Sequence, residues 1–219
     1  MNNLVVFDID GTLIHLCDKE DQAYVTAIEQ AMGPIPELNM RWHEYRYSTD
    51  SGVFSEIIQT ALHRPPTALE HKAVEANFAE QLKQTEYRPI AGAQHIFDAI
   101  LAIGWDVAIA TGAWKSAAES KLGSAKLFRD TIPLATSNDH YERKDIIQCA
   151  VERSKEHYKR TDYRTIIYVG DRPWDLKATQ QLGIPFIGIG EHWQQIANGA
   201  FYHTPHYTPS TFTAYLETL

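Results

Sequence analysis

Long apolar runs are missing from this chain. Nowhere does it hold the ~18 consecutive apolar residues that a membrane-spanning helix needs. Cysteine is scarce: Cys17 and Cys149 are the 2 present, and their spacing builds neither a disulfide framework nor a thiolate metal site. Glycine (12) and proline (10) are too few for a collagenous or low-complexity chain. A basic excess is also lacking. Lys+Arg number 20 against 28 Asp+Glu, and the formal charge of −8 disfavours a broad nucleic-acid footprint. It leaves room for a small phosphorylated substrate, because a local cation can offset the global sign. No basic segment precedes Asp8, so a secretory leader is not expected and a cytoplasmic location is. No internal repeat is visible.

What is present is ordinary globular composition, 44% hydrophobic and 22% charged over 219 residues. That length suits one sizeable domain, or one domain carrying a large insertion. Leu4–Phe7, Val107–Ala110, Thr165–Val169 and Ile184–Ile189 are short continuous apolar runs, as expected for strands covered on both faces of a parallel sheet. Ile132–Thr136 is a weaker candidate whose proline suits an edge. Ile96, Ala99, Ile100 and Ile103 follow helical spacing, and Ile146, Cys149, Ala150 and Val151 do so more loosely. Strand and helix alternate, which predicts an α/β fold with a doubly wound parallel sheet. Trp105 and Phe128 are expected in or beside its core, and Phe212, Tyr215 and Leu216 in a closing amphipathic segment.

The gap between Phe7 and Val107 breaks the rhythm, since one βαβ unit needs only about 30 residues. It reads as helical. Tyr24, Ala27, Ile28 and Ala31 form one stripe, Phe54, Ile57, Ile58, Ala61 and Leu62 a stronger one, and Val74, Phe78 and Leu82 a third. Residues 1–14 and 89–219 are therefore expected to form the α/β core, and 15–88 a helical cap inserted after the first strand. Such an insert hangs over the sheet edge where open α/β folds bind ligands.

Chemistry concentrates at the strand ends. Phe7-Asp8-Ile9-Asp10-Gly11-Thr12-Leu13 follows the first strand, and carboxylates that close repel unless a cation lies between them. Gly170-Asp171-Arg172-Pro173-Trp174-Asp175 follows a later strand with a second acidic pair. Oxygen-only ligands converging on one sheet edge select a hard cation, Mg²⁺. Thr111-Gly112 ends the second strand and offers a hydroxyl and a turn amide to an anion. Arg143-Lys144 supplies a cation, and either side chain could fill that role, with Lys144 favoured by residue type. The scattered histidines, His203 and His206 included, read as surface imidazoles.

Taken in chain order, these segments resemble the motifs of the haloacid dehalogenase-like phosphohydrolase superfamily. Asp8-Ile9-Asp10-Gly11-Thr12-Leu13 matches its signature, and Gly170-Asp171 with Asp175 matches its final acidic motif. The insert resembles the helical cap of phosphoglycolate phosphatase-like members. The resemblance implies a Mg²⁺-dependent phosphatase acting on a small phosphorylated metabolite through an aspartyl-phosphate. Asp8 would be the nucleophile and Asp10 the general acid and base. The metal would be held by the Asp8 carboxylate, the Asp10 carbonyl and Asp171, with Asp175 orienting that shell. Thr111, Gly112 and Lys144 or Arg143 would bind phosphoryl oxygens. Thr49 and Asp50, ahead of the best cap helix near Val53, either cap that helix or contact the substrate. A phosphomutase or phosphotransferase of the same superfamily is the alternative, as is a non-catalytic phosphate-binding or signalling module. Neither a nucleic-acid nor a membrane partner is implied, and the assembly is expected to be a monomer or homodimer.

Overall fold

A computed structural model describes residues 2–36, 38–196, 199 and 201–219. Among these, six parallel strands form one sheet in the order β3-β2-β1-β4-β5-β6. They are β1 (Asn2–Phe7), β2 (Asp106–Ala110), β3 (Leu134–Ala135), β4 (Tyr163–Gly170), β5 (Phe186–Ile189) and β6 (Tyr202–Thr204). β1 lies at the centre, pairing Val5 with Val107 on one side and Ile167 on the other. The order reverses beside β1, which makes the carboxyl end of that strand the natural binding crevice.

Period-two alternation along β1 assigns its side chains to two layers. Val5 and Phe7 pack with Ile96, Phe97 and Ile100 of α4 (Ala93–Ala102) and with Phe212 and Leu216 of α9 (Pro209–Leu216). Leu4 and Val6 face the other way, into a cluster with Ile146, Ile147 and Ala150 of α6 (Arg143–His157). α7 (Pro173–Leu182) flanks that same layer through Ala178. Burying each of the valine, leucine, isoleucine and phenylalanine side chains contributes about 1.5–3 kcal/mol. The expected strands are all present, and Ile132–Thr136 contracts to β3 at the sheet edge. The polar β6 was not anticipated. Trp105 is buried, but Phe128 is 46% exposed, because it lies in the loop after α5 (Lys115–Ser124) where no second layer covers it.

The chain leaves the sheet region at Ile14 and returns at Pro89. These two residues form an antiparallel bridge, flanked by hydrogen bonds from His15 N to Arg88 O and from Ile90 N to Leu13 O, both 2.9 Å. Between them lie α1 (Glu20–Met32), a short 3₁₀ turn at Trp42–Glu44, α2 (Asp50–Leu62) and α3 (Ala68–Leu82). α3 opens on a capping box in which Thr67 and Glu70 satisfy each other's backbone amides. The three helices close around an aromatic cluster. Tyr24 stacks on Trp114 at 5.4 Å and meets Trp42 and Phe78 edge-on. Trp114 comes from the turn after β2, so the insert and the sheet share one apolar nucleus. None of the described helices is long and apolar enough to cross a membrane.

Candidate active site

The carboxyl ends of β1, β2 and β4 converge under the insert, around a cavity of about 420 Å³. Asp8 sits one residue past β1, anchored by its own amide donating to Val169 O at 2.9 Å. The turn that follows requires Gly11: its φ is +73°, and a Cβ there would lie 2.1 Å from Asp171 Oδ2. Glycine thus lets the loop after β1 approach the loop after β4. Pro173 opens α7, and the Asp175 carboxylate accepts the Arg172 amide at 3.1 Å, closing the helix start.

Asp8, Asp171 and Asp175 each present an oxygen within 4.8 Å of the others, and all are buried. Burial pushes Asp8 up to about 7, with the Arg143 charge opposing the rise and Asp175 and Asp10 adding to it. Asp171 is pushed up to about 8, first by burial and then by Asp8 and Asp175. Asp175 is also raised, by burial. Such a cluster is poised to exchange protons for a cation. The donor set fits a metal: all its atoms are oxygens, and Asp171 Oδ1 is buried without a hydrogen-bond partner. These three carboxylates could hold a metal ion.

Arg143, the first residue of α6, donates from Nη1 to Asp8 Oδ1 at 3.0 Å and from Nη2 to Ser48 O at 3.2 Å. Its Nε stands 3.6 Å from Asp175 Oδ1. Burial opposes its charge, but Asp8 and Asp175 outweigh that and hold its pKa above the ordinary value. Lys144 follows on the helix and does not line the cavity. Adjacent helical residues face different directions, so only one of the pair can turn inward.

Thr111 and Gly112 line the cavity. The Thr111 hydroxyl accepts the Ala113 amide at 3.2 Å, and a Cβ on Gly112 would come within 2.7 Å of Ser48 O and 2.8 Å of Arg143 Nη2. Thr49 lines the cavity but is 3% exposed; it caps α2, accepting the Gly52 amide at 3.3 Å and donating to Tyr141 O at 2.9 Å. Asp50 ties the insert to the sheet: its amide donates to Gly112 O at 2.8 Å and its Oδ2 accepts the Trp114 amide at 2.9 Å. Burial pushes its carboxyl up to about 6, against the pull of Lys121. Trp42 reaches the cavity, whereas Arg41 and His43 are exposed and do not line it.

Asp10 lines the same cavity as Asp8 but stands outside the cluster of Asp8, Asp171 and Asp175. β1 ends at Phe7, so strand alternation no longer governs the loop, and Asp10 turns to Lys121. Lys121 Nζ lies 2.9 Å from each Asp10 oxygen and 2.5 Å from Glu20 Oε2 at the start of α1. Sequence reading missed Lys121. A signal was available: Ala117, Ala118, Lys121 and Leu122 fall on one buried face of α5, and a lysine on an apolar face needs a partner. His192, also missed, binds the Asp171 carbonyl at 2.8 Å.

The family model for haloacid dehalogenase-like hydrolases matches residues 5–189, which span every strand-end motif described above. Curated proteins yield no significant sequence match. Among solved structures, a hydrolase from Pseudomonas syringae superposes with a TM-score of 0.63 at 19% identity, over 84% of this chain and 83% of that one. CbbY from Rhodobacter sphaeroides, in complex with phosphate, gives 0.56 at 17% identity over 86% of each chain. A predicted phosphoglycolate phosphatase from Haemophilus somnus 129pt gives 0.53 at 16% identity, over 86% and 85%. With its profile match covering most of the sequence, the chain belongs to the haloacid dehalogenase-like hydrolase family.

Proposed function

We propose that this hydrolase is a Mg²⁺-dependent phosphatase of a small phosphorylated metabolite, with residues 15–88 as a cap over the site. The observation that carries the reading is the buried carboxylate set Asp8, Asp171 and Asp175, with Arg143 laid against the first of them. Support also comes from CbbY, solved with phosphate and, as a mutant, with xylulose-(1,5)bisphosphate.

In this reading an Asp8 oxygen attacks phosphorus in line and forms an aspartyl-phosphate. Asp10 gives a proton to the departing alcohol and later takes one from the hydrolytic water. Thr111, the Gly112 amide and Arg143 hold phosphoryl oxygens in place. Mg²⁺ bound by Asp8, Asp171, Asp175 and the Asp10 carbonyl would supply positive charge facing the phosphate dianion, easing its repulsion of a carboxylate nucleophile. Arg143 works in the same direction and is already aimed at Asp8. From the insert, Trp42, Tyr24 and Asp50 line the cavity, where they would face the leaving group.

The test is release of inorganic phosphate from p-nitrophenyl phosphate and from a panel of phosphorylated metabolites, with Mg²⁺ and with EDTA. Mg²⁺-dependent release supports the reading. No release from any ester with metal present sinks it. Transfer of the phosphoryl group to a second hydroxyl, without net release, would assign a mutase instead.

A further inference from the structure

We propose that Lys121 is the positioning residue for Asp10, and that Glu20 makes this positioning depend on the seating of α1. The proposal rests on the reading of Asp10 as the group that protonates the leaving alcohol. An ammonium carries three donors and no acceptor. Here Nζ faces both oxygens of Asp10 at 2.9 Å and the Glu20 carboxylate, so these two side chains engage all three donors. The lysine is 3% exposed and belongs to α5, which packs under the insert, while Asp10 stays 27% exposed at the cavity edge. A bidentate contact to a side chain that itself cannot move fixes the rotamer of Asp10 and keeps its face toward the cavity.

Glu20 comes from the segment inserted between Ile14 and Pro89, whereas Lys121 and Asp10 belong to the sheet side. The lysine therefore divides its donors between the group it positions and a residue that is present only while α1 is seated. Its part in the chemistry is confined to the proton step. When the bond from phosphorus to the leaving oxygen breaks, the electron pair stays on that oxygen and takes the proton of the Asp10 carboxyl, which in that protonated form accepts from Lys121 through its other oxygen. Asp8 forms the new bond to phosphorus in the same step. A leaving group that is already a stable anion needs no proton, and its departure is indifferent to where Asp10 points.

That difference supplies the experiment. We expect Lys121→Met to lower kcat/KM for an alkyl phosphate at least about 100-fold, the scale of a lost general acid. The same variant should lower kcat/KM for 2,4-dinitrophenyl phosphate less than about five-fold. In an Asp10→Asn background, Lys121→Met should add little further loss, because both changes remove one function. Glu20→Gln keeps the packing and should show the same split at about five- to ten-fold, so the test survives if Lys121→Met fails to fold. Equal losses on both esters, or no loss on either, would overturn the positioning role and leave Lys121 as a structural tie. Failure of the wild-type protein to cleave any ester would instead refute the phosphatase reading, which the wild-type arm isolates.

Discussion

Arg143 donates to Asp8 across 3.0 Å, with the two side chains 9% and 4% exposed. The pair joins the first residue of α6 to the end of β1, so the start of one helix sets the electrostatics of the central strand. An arginine so placed cannot give up its proton and presents a planar fork to oxygens. The neighbouring Lys144, equally cationic on paper, lacks this placement.

The first prediction follows from that contrast. Arg143→Met should lower kcat/KM for aryl phosphates by at least about 100-fold, or roughly 3 kcal/mol, the scale of one lost charge-stabilising donor. Lys144→Met should change it less than about three-fold. Steady-state kinetics on purified, folded variants decide it, and a larger loss in the Lys144 variant would reverse the assignment.

The nucleophile of the proposed mechanism gives the second. Asp8→Asn retains shape but removes the attacking charge, so turnover should fall by several orders of magnitude while circular dichroism stays unchanged. Phosphate release near the wild-type rate would rule out attack by Asp8.

The third prediction concerns pH and metal. Burial and neighbouring carboxylates push Asp8 up to about 7 and Asp171 up to about 8, from an ordinary 3.8. Stability tied to these protons is fully present below 3.8 and is lost as pH rises through the folded values, because only the folded state then holds the extra protons. In EDTA the melting temperature should therefore fall by several degrees between pH 6.5 and 8.5. Added Mg²⁺ should raise it most at pH 8.5, where protons compete least for the carboxylates. Asp171→Asn should flatten the pH trend and abolish most of the Mg²⁺ response. Thermal melts across that range test all three statements. A flat wild-type profile in EDTA would contradict the described electrostatics.

Much of the architecture was legible because the signals that encode it are local. Continuous apolar runs such as Thr165–Val169 specify buried parallel strands, and Asp8-Ile9-Asp10-Gly11-Thr12-Leu13 is a compact motif at the end of one of them. What escaped depends on contacts distant in sequence. Lys121 meets Asp10 across a separation of 111 residues, and nothing near either position announces the other. β6 is three residues long with polar members, so no periodicity marks it; it is held by pairing with β5. The choice between Arg143 and Lys144 turned on helix phase, which shifts by about 100° per residue and cannot be read without knowing where α6 begins. Phe128 illustrates the converse: a large aromatic residue is not buried when the loop carrying it has no partner layer.

The last prediction separates the two polar residues at the start of α2. Thr49 is 3% exposed, and its hydroxyl is committed to the Gly52 amide and the Tyr141 carbonyl. Although Thr49 lines the cavity, the one proton of its hydroxyl is already given to the fold. Thr49→Ala should cost about 1–2 kcal/mol from the lost cap and the orphaned carbonyl. It should lower the melting temperature by a few degrees and change all phosphate esters in equal proportion. Asp50 differs. One of its oxygens holds the Trp114 amide, while the residue lines the cavity beside Trp42 and Tyr24. Asp50→Asn can keep the bond to the Trp114 amide through its carbonyl oxygen, so the fold should survive, but the charge that Asp50 presents to the cavity disappears. Relative kcat/KM among metabolite esters should then shift by about ten-fold or more, while p-nitrophenyl phosphate, which reaches little of the insert, should change less than about three-fold. Profiles of both variants over the same ester panel make the comparison. A uniform loss for Asp50→Asn, matched by a lower melting temperature, would reduce Asp50 to a tie between α2 and the turn after β2.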